Sequence, residues 1–148
     1  MSAGDGPRRS HASPVGRTRD AGWQIGVSRT VHRPVDEVWD FLTSPDGVAI
    51  WLGPGVTVLP DRGEEYRTAD GVRGETRSLR ELDRIRLTWR PPGWTHDTTL
   101  QVTVTVTGPG RTSLRVHQER LADAAEREQQ RRHWQGVVAE LVAALTGG

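Results

Sequence analysis

LADAAEREQQRRHWQGVVAELVAALT, residues 121–146, is the one stretch of this chain that holds a helical period without interruption. Trp134, Val137, Val138, Leu141, Val142 and Leu145 recur at the three- and four-residue spacing of a single helix face. Asp123 stands where an N-cap belongs, and Glu126 follows three residues on, as in a capping box. Gly147 and Gly148 end the pattern. A helix of this length spans about 36 Å, the width of a small domain. Its halves differ in chemistry. The second half has an apolar side that must be buried. The first, Ala125 to His133, is almost wholly polar. A helix that plugs a sheet with one half and roofs a cavity with the other would have this composition.

Working outward, the chain has 148 residues, enough for one domain with one core. The formal net charge is +1, so no bulk field selects for nucleic acid or a membrane surface. Every basic residue is arginine and none is lysine, which fits a GC-rich bacterial source better than a binding signature. Cysteine is absent, which excludes disulfides and thiolate metal sites. No apolar run approaches the ~20 residues of a membrane span, and no apolar segment follows Arg8 and Arg9 as an export signal would require. A cytoplasmic protein is expected. There are six tryptophans against one tyrosine and one phenylalanine, and tryptophan serves both cores and ligand cavities.

Residues Met1 to Ala21 carry hardly any apolar side chains and read as a disordered arm ahead of a single domain over 22–148. From Trp23 the pattern changes: Ile25, Val27, Arg29 and Val31 alternate with polar neighbours as a half-buried strand. Pro34 reads as the first helical residue, followed by Asp36 and Glu37 at the positive end of the helix dipole. Ser44-Pro45-Asp46 starts a second short helix that closes at Leu52-Gly53-Pro54. Strands follow. A hairpin turns at Ala69-Asp70-Gly71, and Ile85, Leu87 and Trp89 face one way while Arg84, Arg86 and Arg90 face the other. Pro91-Pro92-Gly93 breaks that strand. Leu100, Val102 and Val104 make the next apolar row, and Thr112, Leu114 and Val116 return after Gly108-Pro109-Gly110. The order predicts an α+β domain: a curved antiparallel sheet of about six or seven strands wrapped around the long C-terminal helix, with two short helices after the first strand.

These residues resemble a known family. Val27-Ser28-Arg29-Thr30-Val31, Arg33 to Trp39, Trp51-Leu52-Gly53-Pro54, Leu87-Thr88-Trp89, His117 to Leu121 and His133-Trp134 are similar, in order and spacing, to the START-like SRPBCC superfamily. More narrowly, it looks like the group related to the C-terminal domain of the activator of the heat-shock protein 90 ATPase. The resemblance covers roughly Trp23 to Leu145. It implies the helix-grip fold and a ligand cavity between sheet and helix, with no fixed set of catalytic residues. The function it implies is binding of a small hydrophobic molecule. Alternatives within the same fold are a polyketide cyclase/dehydratase-like enzyme and a chaperone-interacting co-regulator. A protein partner or a homodimer fits the last of these.

No phosphate loop, nucleophile elbow or zinc-protease motif occurs. The five histidines stand apart from one another, and no carboxylate–histidine pair is in convincing register, so neither metal nor other cofactor is expected. The outward arginines are diluted by Glu119, Glu126 and Glu128 and are not interleaved with aromatics, which argues against nucleic acid. His117 shares parity with Ser113 and Arg115 and should point away from the interior; Gln118 should point inward. For the ligand site, Leu87, Trp89, Val102 and Val104 are expected as the floor, with Trp134 against them from the helix. The opening is expected between Trp51, Tyr66, His96 and Gln130, the polar ones orienting an apolar ligand.

Overall fold

The computed structural model describes residues 17–18 and 22–147. Strand β1 is the pair Arg17–Thr18, and β2 runs Gly22–Val31. Helices α1 (Val35–Leu42) and α2 (Pro45–Trp51) follow. Then come β3 (Glu65–Arg67), β4 (Arg73–Arg80), β5 (Arg84–Trp89), β6 (Thr98–Gly108) and β7 (Arg111–Leu121). Helix α3, Ala124–Thr146, follows β7. The strands form one antiparallel sheet in the order β1-β2-β7-β6-β5-β4-β3, so the first long strand closes beside the last. Most of the expected arm, 1–16 and 19–21, lies outside the described residues; within it, Arg17 and Thr18 pair with Trp23 and Gly22.

The period-two rows fall where alternation places them. Ile85, Leu87 and Trp89 are buried beside Leu100, Val102 and Val104, and Leu114 and Val116 extend the same face. α3 lies along β2 and β7, with α2 on its flank. Its buried side chains are Gln130, Trp134, Val137, Val138 and Leu141. Each large apolar side chain taken from water there contributes roughly 1.5–3 kcal/mol. Asp123 accepts at its side chain from the Glu126 amide at 2.8 Å, and Glu126 reaches back to the Ala122 amide at 3.0 Å. The Asp123 half is the cap that the spacing predicts; the return bond differs from a capping box, because Glu126 accepts from the amide before the N-cap and not from that of Asp123.

The two short helices brace the sheet from one end. Pro34 differs from expectation: it is the N-cap of α1, not its first helical residue, because its ψ of 155° is extended. Proline's fixed φ suits either position, so only ψ separates them. Ser44 caps α2 by accepting from the Gly47 amide at 3.1 Å, with Pro45 in the first turn. Gly47 permits the close approach of the pair, since a Cβ there would meet the Phe41 carbonyl oxygen at 1.8 Å.

Gly136 is the opposite case. It sits in the interior of α3, and a Cβ there would touch nothing within 4 Å. Gly136→Ala should therefore raise stability by about 0.5–1 kcal/mol, read as a higher urea midpoint at unchanged slope.

Candidate functional site

The site is assembled where β5 ends. Trp89 is the last inward residue of that strand, and Pro91-Pro92-Gly93 then turns the chain away. Trp94 is held by its amide on the Pro91 carbonyl at 3.2 Å and by its own carbonyl, which accepts from Arg90 Nε at 2.9 Å. It meets Trp89 edge-on, with ring centres 5.7 Å apart. His96 stacks on Trp94 at 5.1 Å and places Nε2 2.8 Å from Glu126 Oε1. From α3, His133 and Trp134 approach the same Trp89 ring at 6.1 and 5.5 Å. Five rings from one loop, one strand and one helix thus form a continuous aromatic cluster. The His96–Glu126 pair fastens the loop to the first turn of α3. The expectation that no carboxylate–histidine pair exists is corrected here: the two residues are 30 positions apart and meet only because the loop folds over the helix.

Beneath the cluster runs a buried polar chain. Trp134 Nε1 donates to Gln118 Oε1 at 2.8 Å, Gln118 Nε2 to Thr98 Oγ1 at 3.0 Å, and Thr98 Oγ1 to the Trp89 carbonyl at 2.7 Å. Trp134, Gln118 and Thr98 are all fully buried. Two buried polar atoms nearby have no partner among the described residues: Trp89 Nε1 and Gln130 Oε1. Gln130 lies one turn before Trp134 on the same helix face.

The expected ligand residues divide in two. Trp89, His96 and Trp134 belong to the cluster, Gln130 lies on its helix face, and Leu87, Val102 and Val104 are buried in the sheet rows beside it. Trp51 and Tyr66 take no part in it. Trp51 is buried and donates from Nε1 to the Leu42 carbonyl at 2.8 Å, fastening α2 to α1. Tyr66 donates its hydroxyl to the Thr88 carbonyl at 2.6 Å and lines a cleft on the outer face of the sheet. Burial first, and the Asp97 charge second, push its phenol above the ordinary value. That outer cleft, of about 530 Å³, and a second of about 350 Å³ between Trp39 and Leu79 both lie away from Trp134 and Gln130.

His117 points outward as parity predicts, 2.8 Å from Gln24 Oε1. Burial lowers its pKa first; Glu119 opposes, and Arg115 and Arg86 add to the fall. His133 stays exposed along one edge, and it is lowered by desolvation of the part of its ring that Trp89 and Trp134 cover. On the solvent side of α3, Arg131 and then Arg132 hold the exposed Glu128 carboxyl down to about 2. Those arginines are thus engaged within their own helix. Among the described residues no group of three or more His, Asp or Glu could hold a metal ion, and no helix is long and apolar enough to cross a membrane.

The model of the Activator of Hsp90 ATPase homolog 1-like protein family matches residues 32–146. The chain belongs to that family. DynU16, whose crystal structure is described as that of a protein in the dynemicin biosynthetic locus, superposes with a TM-score of 0.70 at 26% identity. The match covers 84% of this chain but only 48% of DynU16, so the chain spans about half of that protein. CalU16 from Micromonospora echinospora gives 0.72 at 20% identity, covering 88% of this chain and 82% of that one. An HSP90 activator from Plasmodium falciparum gives 0.71 at 14%, covering 85% and 97%. The last two likenesses establish the helix-grip fold. No curated protein matches the chain.

Two outcomes follow for this family member. Trp134→Phe keeps a ring but strands Gln118 Oε1, and should cost roughly 1–3 kcal/mol by urea denaturation. The second concerns pH. His133 titrates below its ordinary 6.5 in the folded chain, so below that pH the unfolded chain binds more protons. Its contribution to stability is present above about 6.5 and is lost as pH falls through the folded value. His133→Phe should flatten the decline in urea midpoint between about pH 7.5 and about pH 5, with His117 supplying slope of the same sign.

Proposed function

We propose that the chain binds a small hydrophobic molecule between the sheet and the first half of α3, with the loop of residues 91–97 as its cover. One observation carries this reading. Trp89 Nε1, a donor, and Gln130 Oε1, an acceptor, are buried without partners beside a cluster of aromatic rings. Native interiors leave few such atoms unpaired, because each costs on the order of 1–3 kcal/mol. A ligand with an aromatic body and both an acceptor and a donor would satisfy the pair while stacking on the tryptophans.

Entry requires side chains to move. The ties that hold the cover include the His96–Glu126 contact, the Arg90–Trp94 hydrogen bond, the Arg90–Asp97 ion pair at 3.7 Å and ring contacts. His96 and Trp94 are both part-exposed, so lifting them breaks few buried contacts. The second half of α3 stays pinned by Trp134. The likeness to DynU16, a protein of a biosynthetic locus, supports a ligand of natural-product size.

The His96–Glu126 pair favours a second reading, a cyclase/dehydratase-like enzyme of the same fold. There Glu126 would orient the imidazole on Nε2, leaving Nδ1 to take a proton from the bound molecule. His96→Gln separates the two readings: it should abolish any turnover outright, whereas in a pure binder it should change affinity only as far as the cover is loosened.

Binding itself is tested by tryptophan fluorescence during titration with a panel of apolar aromatic compounds. Saturable quenching at about micromolar affinity is expected. Trp89→Phe and Gln130→Leu should each weaken it about tenfold; Gln130→Leu should leave the urea midpoint unchanged or higher, because it removes an unpaired buried group, whereas Trp89→Phe also gives up ring packing. Absence of saturable quenching, or variants that lose stability and keep affinity, would refute the reading.

A further inference from the structure

Across the sheet from the aromatic cluster, three arginines stand in one cross-strand row. Arg67 on β3 is directly opposite Arg73 on β4, and Arg73 pairs in turn with Arg90, just past the end of β5. The Arg73 and Arg90 backbones exchange both hydrogen bonds, at 3.0 and 2.9 Å. Like charges placed directly opposite on a sheet face destabilise it. Arg90 is partly compensated, with Asp97 at 3.7 Å and the Trp94 carbonyl on its Nε. Arg67 and Arg73 have no carboxylate partner within 4.0 Å among the described residues. All three line the outer cleft of about 530 Å³.

One row along, two residues up each strand, Glu65 faces Glu75 in the same cleft. Strand geometry sets the two rows about 7 Å apart. The frame is fixed: the Tyr66 hydroxyl ties β3 to the Thr88 carbonyl, the Thr68 hydroxyl closes the hairpin on the Val72 amide, and the Glu75 amide is bonded to the Thr88 hydroxyl. The strands that carry the two rows are thus held in place, so the ligand need not order the backbone. Of the two carboxylates, Glu75 already has Arg77 at 3.5 Å, and Glu65 is the freer acceptor.

We infer that this outer cleft is a second ligand site, separate from the interior, for a small phosphorylated molecule that also carries amino or hydroxyl donors. Guanidinium groups at Arg67, Arg73 and Arg90 take the phosphate oxygens, a geometry arginine matches with paired N–H donors. Glu65 and Glu75 accept from donors at the other end of the ligand. Bound phosphate removes the repulsion that the row otherwise imposes on the free protein.

The test uses the whole chain, with glucosamine 6-phosphate, glucosamine and inorganic phosphate as probes, followed by backbone amide NMR shifts. Saturable shifts centred on Arg67, Arg73 and Arg90 are expected, with glucosamine 6-phosphate at least about fivefold tighter than inorganic phosphate and glucosamine alone silent. Arg73→Gln should abolish the response to both phosphates. Its melting temperature without ligand should equal or exceed that of the wild type, which shows that the fold is kept. Glu65→Gln should erase only the advantage of the amino sugar. Arg86→Gln, on the same outer face but bonded to Gln101 and Glu119, should bind normally. No saturable shift up to about 10 mM, or shifts that survive Arg73→Gln, would overturn the site. Equal affinity for the two phosphates, or no effect of Glu65→Gln, would overturn the ligand class.

Discussion

The hydrogen-bonded chain from Trp134 through Gln118 and Thr98 to the Trp89 carbonyl joins α3, β7, β6 and β5 at one buried point. Each link is worth only about 1 kcal/mol net, but breaking any one strands a buried polar group at greater cost. The chain therefore acts less as glue than as a register pin. It fixes which turn of α3 faces the sheet, and so which helix residues stand above Trp89. Apolar packing of Val138 and Leu141 secures the rest of the helix, and would tolerate small slips that the polar chain would not.

From that pin the helix divides. Toward its C-terminus it is packed on the sheet and behaves as core. Toward its N-terminus it carries Gln130, with an unpaired buried oxygen, and Glu126, which reaches across to His96. The loop that holds His96 is stabilised by ring edges and a few hydrogen bonds, not by deep burial. Local stability follows the density of buried contacts, so opening should begin at this end. The same division gives the binding proposal its geometry: a fixed floor, a fixed half of the roof, and a cover that can lift.

Much of the fold is legible in the sequence. The rows Ile85-Leu87-Trp89 and Leu100-Val102-Val104 were readable because period two leaves no alternative face, and parity correctly turned Gln118 inward and His117 outward. The Asp123 cap of α3 was readable because its spacing is local. What escaped depends on distant partners. Trp51 and Tyr66 looked like rim residues because aromatic side chains with polar tips often stand at openings. Their tips instead found the carbonyls of Leu42 and Thr88, choices set by tertiary approach. Glu126 was visible as a cap but not as the partner of His96, and the pairing of Arg17–Thr18 rests on backbone bonds that side-chain composition does not signal. The unpaired atoms of Trp89 and Gln130 were invisible, since pairing is decided within tenths of an ångström.

Native-state hydrogen exchange on the free protein tests this division of α3 most directly. The amides of Val137, Val138 and Leu141 should exchange only through global unfolding. The amides of residues 127–130 and of Trp94 should exchange through a smaller opening, with matching free energy and a weaker dependence on denaturant, because the loop and the first half of the helix lift together. A single tier of protection along the whole of α3, or independent exchange of the loop and the first half of the helix, would contradict the account.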